Sequence, residues 1–339
     1  MQGVIIYIYI QIVKKLGVLY MKITVIGCGR WGSCIAWYLD KIGHTVTVYS
    51  KMDNNNTISL FNTRTNGIVT FPESVKLETS IDVALDSPDV IVISINSQGL
   101  RSLIKEINEK GVKNTIFVLC MKGIEIETGE RLSEIASKGL DESNRVAVWL
   151  GPGHPQEFCA GIPNCMVIDS ADENVKNKLV NEFSSDLIRF YYGADLIGNE
   201  VGAASKNVIG IAAGILDGLN LSTLKGALMS RGTREISRLI SALGGNELSA
   251  YGLCHLGDYE ATVFSKFSHN RMFGEMIVRG EKYDQLAEGY YTVAALINLS
   301  KKYQVELPIC NAVYDVLYNG ERAESAMSKL FERSLKKEF

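Results

Sequence analysis

Short apolar runs alternate with amphipathic or polar stretches along roughly the first 196 residues of the chain. Runs typical of strands lie at 22–26, 44–49, 90–95, 115–120, 146–150 and 165–169. Several of them are apolar at nearly every position, which indicates strands that are buried on both faces. This alternation predicts an α/β fold with a doubly wound, parallel sheet that is covered by helices on both faces.

The pattern changes after about residue 196, where strand-like runs become rare and helical periodicity dominates. Helical stretches are predicted at 199–219, 223–243, 270–279, 284–301 and 308–335. We therefore expect an α/β domain over 21–196 that is followed by an all-α C-terminal domain over 197–339. Because no long flexible linker separates them, an active site is expected between the two domains.

The first twenty residues, MQGVIIYIYIQIVKKLGVLY, do not fit this scheme. About ten of them are apolar before Lys14, whereas a helix needs about 20 to span a bilayer. No positive charge precedes the apolar run and no small-residue cleavage site follows it, so it is a poor signal peptide. We favour an extension from an upstream start codon over a membrane anchor, and we expect no stable membrane insertion.

Composition narrows the class of protein. The 339 residues carry a formal net charge of -3, which removes the electrostatic case for nucleic acid. Seven cysteines lie scattered without a C-x-x-C pair, which is typical of reduced thiols in a cytoplasmic protein. The four histidines show no metal-ligand spacing, so we expect no metal.

A glycine pattern, Gly27-x-Gly29-x-x-Gly32, follows the first strand and opens a helix. A second strand follows within the span of one βαβ unit, which is the context of a Rossmann dinucleotide-binding fingerprint. Gly27 would permit the tight turn, Gly29 the approach of a pyrophosphate, and Gly32 close packing of helix on strand. The alternative is a glycine-rich turn with a purely structural role.

The end of the second strand bears on the choice of cofactor. An NAD site usually has Asp or Glu there to bind the ribose 2′-hydroxyl. This chain has Ser50 and Lys51 instead, and the first acid is Asp53. A hydroxyl and a cation suit a 2′-phosphate, so NADP or NAD is expected with NADPH favoured, unless Lys51 is simply a solvated loop lysine.

Two lysines are candidates for chemistry. Lys122 directly follows a strand, at the edge of the sheet where ligands bind, although a surface lysine would give the same pattern. Lys206 lies among apolar and small residues of a helix. Burial there would lower its pKa and suit it to proton transfer, whereas a snorkelling side chain would keep the charge in water.

Polar residues also cluster between 256 and 271. Asp258, Thr262, Lys266 and the run Ser268-His269-Asn270-Arg271 could together bind a small phosphorylated polyol. By pattern alone, a solvated loop is the better interpretation.

Six motifs in order carry a resemblance to a known family. They are VIGCGRWGS at 25–33, MKGIEIETGERL at 121–132, VGAASKNVIGIAAGILDGL at 201–219, LGDYEAT at 256–262, SHNRMFG at 268–274 and EGYYT at 288–292. From about 22 to 335 the chain resembles the bacterial type of NAD(P)-dependent glycerol-3-phosphate dehydrogenase. The resemblance implies a Rossmann domain, a helical domain, and hydride transfer between NAD(P)H and dihydroxyacetone phosphate.

The resemblance also implies roles for residues. Those implied in catalysis are Lys206, Asn207 and Asp258. Those implied in binding the cofactor are Gly27, Gly29, Arg30, Trp31, Gly32, Ser50, Lys51, Lys122, Pro155, His269, Leu286 and Glu288. Those implied in binding the substrate are Lys122, Gly151, Gly153, Lys206, Asp258, Thr262, Ser268, His269 and Asn270.

The chain departs from the family pattern at two places on the substrate side. Where the family usually has G-P-T-F-A-x-E, this chain has GPGHPQE at 151–157, so a threonine is lost and a histidine gained. Where the family has Arg-Asn, this chain has His269 and Asn270. A protonated His269 would be expected to hold the substrate phosphate, and compensating ligands could be Lys266, Arg271, His154 or His255.

The main hypothesis is therefore an enzyme that makes sn-glycerol 3-phosphate for glycerophospholipid synthesis. The first alternative is a sibling dehydrogenase that reduces another small phosphorylated or acidic ketone. The second is a nicotinamide-nucleotide-binding sensor without turnover. A homodimer is expected in each case.

Overall fold

The computed structural model describes residues 20–335 and 337–338. The interpretation of the N-terminal segment therefore falls, except for Tyr20, outside the described residues. Within the described part, no helix is both long enough and apolar enough to cross a membrane.

One sheet of eight strands organises the first half of the chain. The strands are β1 (Lys22–Ile26), β2 (Thr45–Tyr49), β3 (Lys76–Glu78), β4 (Val90–Ile93), β5 (Ile116–Leu119), β6 (Arg145–Leu150), β7 (Asn164–Ser170) and β8 (Ile188–Tyr192). Their order is β3-β2-β1-β4-β5-β6-β7-β8, and the chain reverses its winding direction between β1 and β4. This is the topological switch point at which open α/β sheets bind ligands.

Helices cover both faces of this sheet and confirm the predicted α/β class. They are α1 (Arg30–Lys41), α2 (Asn55–Thr63), α3 (Ile81–Ala84), α4 (Leu100–Glu109), α5 (Leu132–Gly139), α6 (Pro155–Cys159) and α7 (Glu173–Phe183). Two apolar cores lie on the two faces. One contains Trp149 and Phe183, the other Phe117 and Ile104.

The prediction of a wholly parallel sheet is wrong at one pair of strands. β7 runs antiparallel to β6, with Ala147 opposite Ser170, and β8 is parallel to β7. A fully buried strand has the same apolar pattern in either direction, so the sequence does not show this reversal. β3 and β8 lie outside the predicted strands: β3 has three residues and no apolar run, and β8 has five residues of which only Ile188 and Phe190 are buried.

The remainder of the described chain is helical. It contains α8 (Leu196–Gly218), α9 (Lys225–Ala242), α10 (His269–Arg279), α11 (Glu288–Tyr303), α12 (Pro308–Tyr318) and α13 (Ala323–Phe331). The single helix predicted over 308–335 is thus two helices, which are separated by a turn at Gly320 with a φ of 68°.

The buried helix α8 forms the centre of this second part. Its glycines let neighbouring segments pack closely against the helix. A Cβ at Gly214, for example, would lie 1.9 Å from the carbonyl oxygen of Arg271. A Cβ at Gly210 would lie 2.7 Å from Cγ2 of Thr262. The small residues therefore bring α10 and the 256–268 segment against α8, the helix that carries Lys206.

Candidate active site

The glycine turn has the geometry that a dinucleotide requires. Gly27 has a φ of 100°, and a Cβ there would lie 2.2 Å from the carbonyl oxygen of Ser94. A Cβ at Gly32 would lie 2.1 Å from the carbonyl oxygen of Gly27, whereas nothing lies within 4 Å of one at Gly29. Tight packing on both sides and open space at Gly29 fit a pyrophosphate at the start of α1.

The first turn of α1 strengthens this fit. Gly29 is the N-cap residue and supplies no side-chain acceptor, and the first turn holds no acidic residue. The N–H groups at the start of α1 are therefore left for an anionic ligand. Arg30 lies exposed at this end of the helix, and the ring of Trp31 lies 6.0 Å from that of Phe158.

The end of β2 lacks an acidic residue, as the sequence indicated. Lys51 is 62% exposed, and its ammonium lies 3.2 Å from Oε2 of Glu106. The backbone N–H of Ser50 donates to the carbonyl of Glu78 at 3.3 Å. Lys51 is thus accessible to a 2′-phosphate, but Glu106 competes for its charge.

Two lysines and an aspartate meet where the sheet faces α8. The Lys122 ammonium lies 2.6 Å from Oδ2 of Asp258, and the Lys206 ammonium lies 3.0 Å from the same oxygen. Lys122 also donates to the carbonyl of Gly151 at 2.7 Å, and Lys206 donates to the hydroxyl of Thr262 at 2.8 Å. The fold thereby joins residues from four separate sequence motifs into one charged cluster.

Burial tunes the chemistry of this cluster. Asp258 is fully buried and Lys206 is 8% exposed. Burial lowers the pKa of Lys206 to about 8, the ammonium of Lys122 acts in the same direction, and the carboxylate of Asp258 opposes the change. Lys206 is thus buried rather than snorkelling. Because its pKa is lowered, it can carry or release a proton near neutral pH.

A chain of amides connects the cluster to α10 and α11. The side chain of Asn207 donates to the carbonyl of Lys122 at 3.0 Å and accepts from Asn270 at 3.0 Å. The backbone N–H of Gly289 donates to Asn270 at 2.9 Å. Asn207 and Asn270 thus link the backbone at Lys122 to the backbone at Gly289, in the first turn of α11. Ser268 caps α10 by accepting from the N–H of Arg271 at 3.3 Å.

Sequence reasoning missed Ser97, which follows β4. Its hydroxyl donates to Oε2 of Glu288 at 2.7 Å, and its backbone N–H donates to Oε1 at 3.4 Å. Burial raises the pKa of the Glu288 carboxyl, and the two bonds from Ser97 oppose that change. A polar residue after an apolar strand was the available signal.

Leu286, which the resemblance implies in cofactor binding, is 48% exposed.

The loop after β6 has two glycines with positive φ angles. Gly151 and Gly153 have φ angles of 127° and 141°, and a Cβ at Gly153 would lie 2.4 Å from the ring of Phe158. Threonine therefore does not fit at position 153 of this backbone. Pro155 begins α6 at a position where its missing N–H costs nothing.

The surroundings of His269 act against its protonation. One ring nitrogen bonds the hydroxyl of Tyr283. Burial lowers the pKa of His269 to about 4, and Arg30 and His154 act in the same direction. Burial thus favours a neutral ring, and the expectation that a protonated His269 holds the substrate phosphate stays a prediction.

Two of the four suggested compensating ligands are also engaged elsewhere. His255 is fully buried and lies 2.8 Å from the carbonyl of Gly202 and 2.7 Å from the hydroxyl of Tyr259. Arg271 donates to the carboxylate of Asp217 at 2.8 Å. Only His154 and the exposed Lys266 remain from that set.

In the described part of the chain, no group of three or more His, Cys, Asp or Glu side chains is placed to hold a metal ion.

Comparison with known proteins agrees with this arrangement. Residues 22–176 match the family described as NAD-dependent glycerol-3-phosphate dehydrogenase N-terminus, and residues 195–328 match its C-terminus. The chain belongs to this family. The matched regions include the glycine turn, both lysines and Asp258.

Individual relatives cover almost the whole chain. Glycerol-3-phosphate dehydrogenase [NAD(P)+] of Fusobacterium nucleatum is 36% identical over 336 residues, which span 94% of this chain and 98% of the relative. The protein of the same name from Chlorobium limicola is 34% identical, over 94% and 99% of the two chains. The crystal structure of glycerol-3-phosphate dehydrogenase from Coxiella burnetii has a TM-score of 0.86 at 27% identity, over 93% of this chain and 100% of that chain.

Proposed function

We propose that the protein reduces dihydroxyacetone phosphate to sn-glycerol 3-phosphate with NADPH or NADH, and so supplies glycerophospholipid synthesis. The observation that carries this proposal is the Lys206 ammonium, buried 3.0 Å from Asp258 and given a pKa of about 8. Family membership and the open glycine turn support the same conclusion.

Lys206 is the proposed proton donor. When bound, the reduced nicotinamide supplies the hydride to the ketone carbon. The Lys206 ammonium stabilises the negative charge that grows on the carbonyl oxygen and then protonates that oxygen. Asp258 keeps the ammonium charged and in place, and Asn207 positions the backbone of Lys122.

The remaining site residues are proposed in two groups. Those that hold the cofactor are Gly27, Gly29, Arg30, Trp31, Gly32, Ser50, Lys51, Lys122, Pro155, His269, Leu286 and Glu288. Those that hold the substrate, besides Lys122, Lys206 and Asp258, are Gly151, Gly153, Thr262, Ser268, His269 and Asn270. The hydroxyl of Thr262 donates to the carbonyl of Asp258 at 2.7 Å and accepts from Lys206 at 2.8 Å, so Thr262 also positions Lys206.

A substrate panel tests the proposal. Purified protein is assayed by NADPH and NADH oxidation with dihydroxyacetone phosphate, dihydroxyacetone and several small 2-keto acids. We expect the highest kcat/KM for dihydroxyacetone phosphate and a loss of activity in Lys206→Ala. If the protein reduced other ketones of the panel but not dihydroxyacetone phosphate, the proposal would be contradicted.

A sibling dehydrogenase is the second candidate, and the loop at 151–157 favours it. Gly153 with its positive φ, the adjacent His154 and His269 in place of the family's arginine all belong to the substrate side. Preference for a different phosphorylated or acidic ketone in the same panel would support this candidate. Tight NADPH binding without any turnover would instead indicate a sensor.

Three further properties belong to the proposal. We place the domain division at residues 196 and 197, supported by the last strand ending at Tyr192 and α8 beginning at Leu196. A homodimer is supported by Tyr191 and Tyr192, which are about half exposed on the outermost strand. A cytoplasmic location is supported by seven free cysteines. Light scattering on the purified chain would test the dimer.

A further inference from the structure

A small number of buried polar atoms have no hydrogen-bond partner among the described residues. Two of them belong to the lysine cluster and to the loop after β6: Oδ1 of Asp258 and Nε2 of His154. A buried polar atom without a partner costs free energy, so such atoms at a ligand site indicate groups that the ligand itself satisfies. The mechanism above uses Asp258 but assigns nothing to His154.

The loop that carries His154 contacts the cluster, because the carbonyl of Gly151 accepts from the Lys122 ammonium at 2.7 Å. Burial lowers the pKa of His154 from the ordinary value, and the ammonium groups of Lys206 and Lys122 act in the same direction. Glu157 and Asp258 oppose this change. Burial thus favours the neutral imidazole, whose Nε2 lacks a partner in a region where two ammonium groups attract anions.

The ring is held in place by its neighbours. It packs edge-on against Phe267, with ring centroids 5.7 Å apart. The preceding residue, Gly153, carries no side chain and has no room for one. His154 is thus the first polar side chain of the loop that follows β6.

We propose that His154 is a specificity-determining residue whose Nε2–H donates a hydrogen bond to the phosphate of the substrate. The inference deepens the proposed function and rests on it. A neutral imidazole with one free nitrogen suits a single oxygen of a phosphate monoester, and the bond satisfies the orphaned Nε2. Its rival is Lys266, whose ammonium lies 5.6 Å from the ring centroid of Phe267.

The test compares two ketones that differ only in the phosphate. His154→Phe keeps a ring against Phe267 but removes both nitrogens, whereas His154→Gln keeps a donor. For dihydroxyacetone phosphate, His154→Phe should raise KM by about 10- to 100-fold, the usual worth of one hydrogen bond to a charged group. Its kcat/KM for unphosphorylated dihydroxyacetone should stay at the wild-type value, and His154→Gln should recover most of the loss.

A binding measurement separates failure of this inference from failure of the proposed function. Calorimetric titration with inorganic phosphate, in the presence of NADP, should show weaker binding to His154→Phe than to wild type. If wild type does not reduce dihydroxyacetone phosphate but this difference remains, the proposed function fails and the phosphate contact stands.

Other outcomes overturn the inference while the function stands. Equal losses on both ketones would show that His154 acts only through the structure of the loop. A large rise in KM in Lys266→Ala, with none in His154→Phe, would assign the phosphate to Lys266. Thermal melting of each variant checks that the chain is folded.

Discussion

Lys206 shows how a single residue acquires its chemistry from its surroundings. Its helix is lined with small residues, so neighbouring segments close over the ammonium and remove it from water. Asp258 and Thr262 supply two oxygen partners, at 3.0 and 2.8 Å, but not a full hydration shell. The ammonium is therefore easier to deprotonate than in water, although it remains paired.

This environment predicts opposite pH dependences for the two directions of reaction. Reduction needs the ammonium, so kcat for reduction should fall as the pH rises through about 8. Oxidation of sn-glycerol 3-phosphate needs the neutral amine, so its kcat should rise through the same range. Lys206→Ala should lower kcat by about 10²–10⁴-fold and remove this dependence. Rate profiles in both directions provide the measurement.

Two further variants test this prediction, one that should move the pH profile and one that serves as a control. Asp258→Asn removes the carboxylate that supports the charge, so the break in the profile should move to lower pH. Lys176→Met removes another buried lysine, which bonds the carbonyl of Gly193 at 2.7 Å. It should leave the profile unchanged. A near wild-type rate in Lys206→Ala would refute the proposed role.

The exposed ammonium of Lys51 at the end of β2 favours NADPH over NADH as the cofactor. We expect a higher kcat/KM with NADPH than with NADH, and a reversal in Ser50→Asp. Glu106→Gln removes the carboxylate 3.2 Å from the ammonium and should lower KM for NADPH about two- to fivefold. Glu109→Gln makes the same charge change beside Lys105 and should have no effect. A wild-type preference of more than about tenfold for NADH would contradict the assignment.

At the scale of elements, the start of α12 depends on a side chain from another helix. Pro308 opens α12, and no side chain of the local sequence caps it. Glu235 of α9 accepts instead from the N–H groups of Ile309 at 2.8 Å and Cys310 at 2.9 Å. Burial raises the pKa of this carboxyl to about 7, and the two N–H groups oppose the change.

Replacing Glu235 should reveal both the cap and its titration. Glu235→Ala leaves two buried N–H groups without acceptors and should lower the free energy of unfolding by about 2–4 kcal/mol. The unfolded carboxyl ionises first, near pH 4.5, while the folded one stays protonated up to about 7. Relative to Glu235→Gln, wild type should therefore lose about 1.4 kcal/mol per pH unit between these values.

Urea denaturation at several pH values would measure these differences. Glu247→Gln is the matched control, because Glu247 is an exposed carboxylate 3.8 Å from Arg234. It should change the free energy of unfolding by no more than about 1 kcal/mol at any pH. If wild type and Glu235→Gln showed the same pH dependence, the carboxyl would titrate normally in the folded state.

At the scale of the whole molecule, one buried carboxylate joins α8 to the α/β part. Glu200 of α8 is 5% exposed and accepts from the backbone N–H of Ser133 at 2.9 Å and from its hydroxyl at 2.6 Å. It also pairs with Arg131, at the start of α5. This contact fixes the helix that carries Lys206 against the sheet that carries Lys122.

Glu200→Ala should lower the free energy of unfolding by about 3–5 kcal/mol, because Arg131 loses a buried partner. Glu134→Ala removes a half-exposed partner of the same arginine, 3.2 Å away, and should cost about 1 kcal/mol. Denaturant unfolding of the two variants provides the comparison. Equal losses would show that the contact between the two parts adds nothing.

The sequence by itself determined the architecture and the identity of most candidate residues. Apolar periodicity located six of the eight strands, and the glycine pattern after β1 located the dinucleotide turn. Lys122 after a buried strand and Lys206 in an apolar helix were candidates by position, and the resemblance to the family implied their roles. These features are readable because each depends on neighbours within about one element of chain.

Tertiary structure alone decided how those residues meet and in which charge state. Lys122 and Asp258 are 136 positions apart, and Ser97 and Glu288 are 191 apart. Local periodicity reports whether a segment is buried, but not which distant side chain faces it. The reversal of β7, the lowered pKa of His269 and the orphaned Nε2 of His154 depend on such distant neighbours. Only the folded chain sets them, because desolvation and pairing arise from groups that packing brings together.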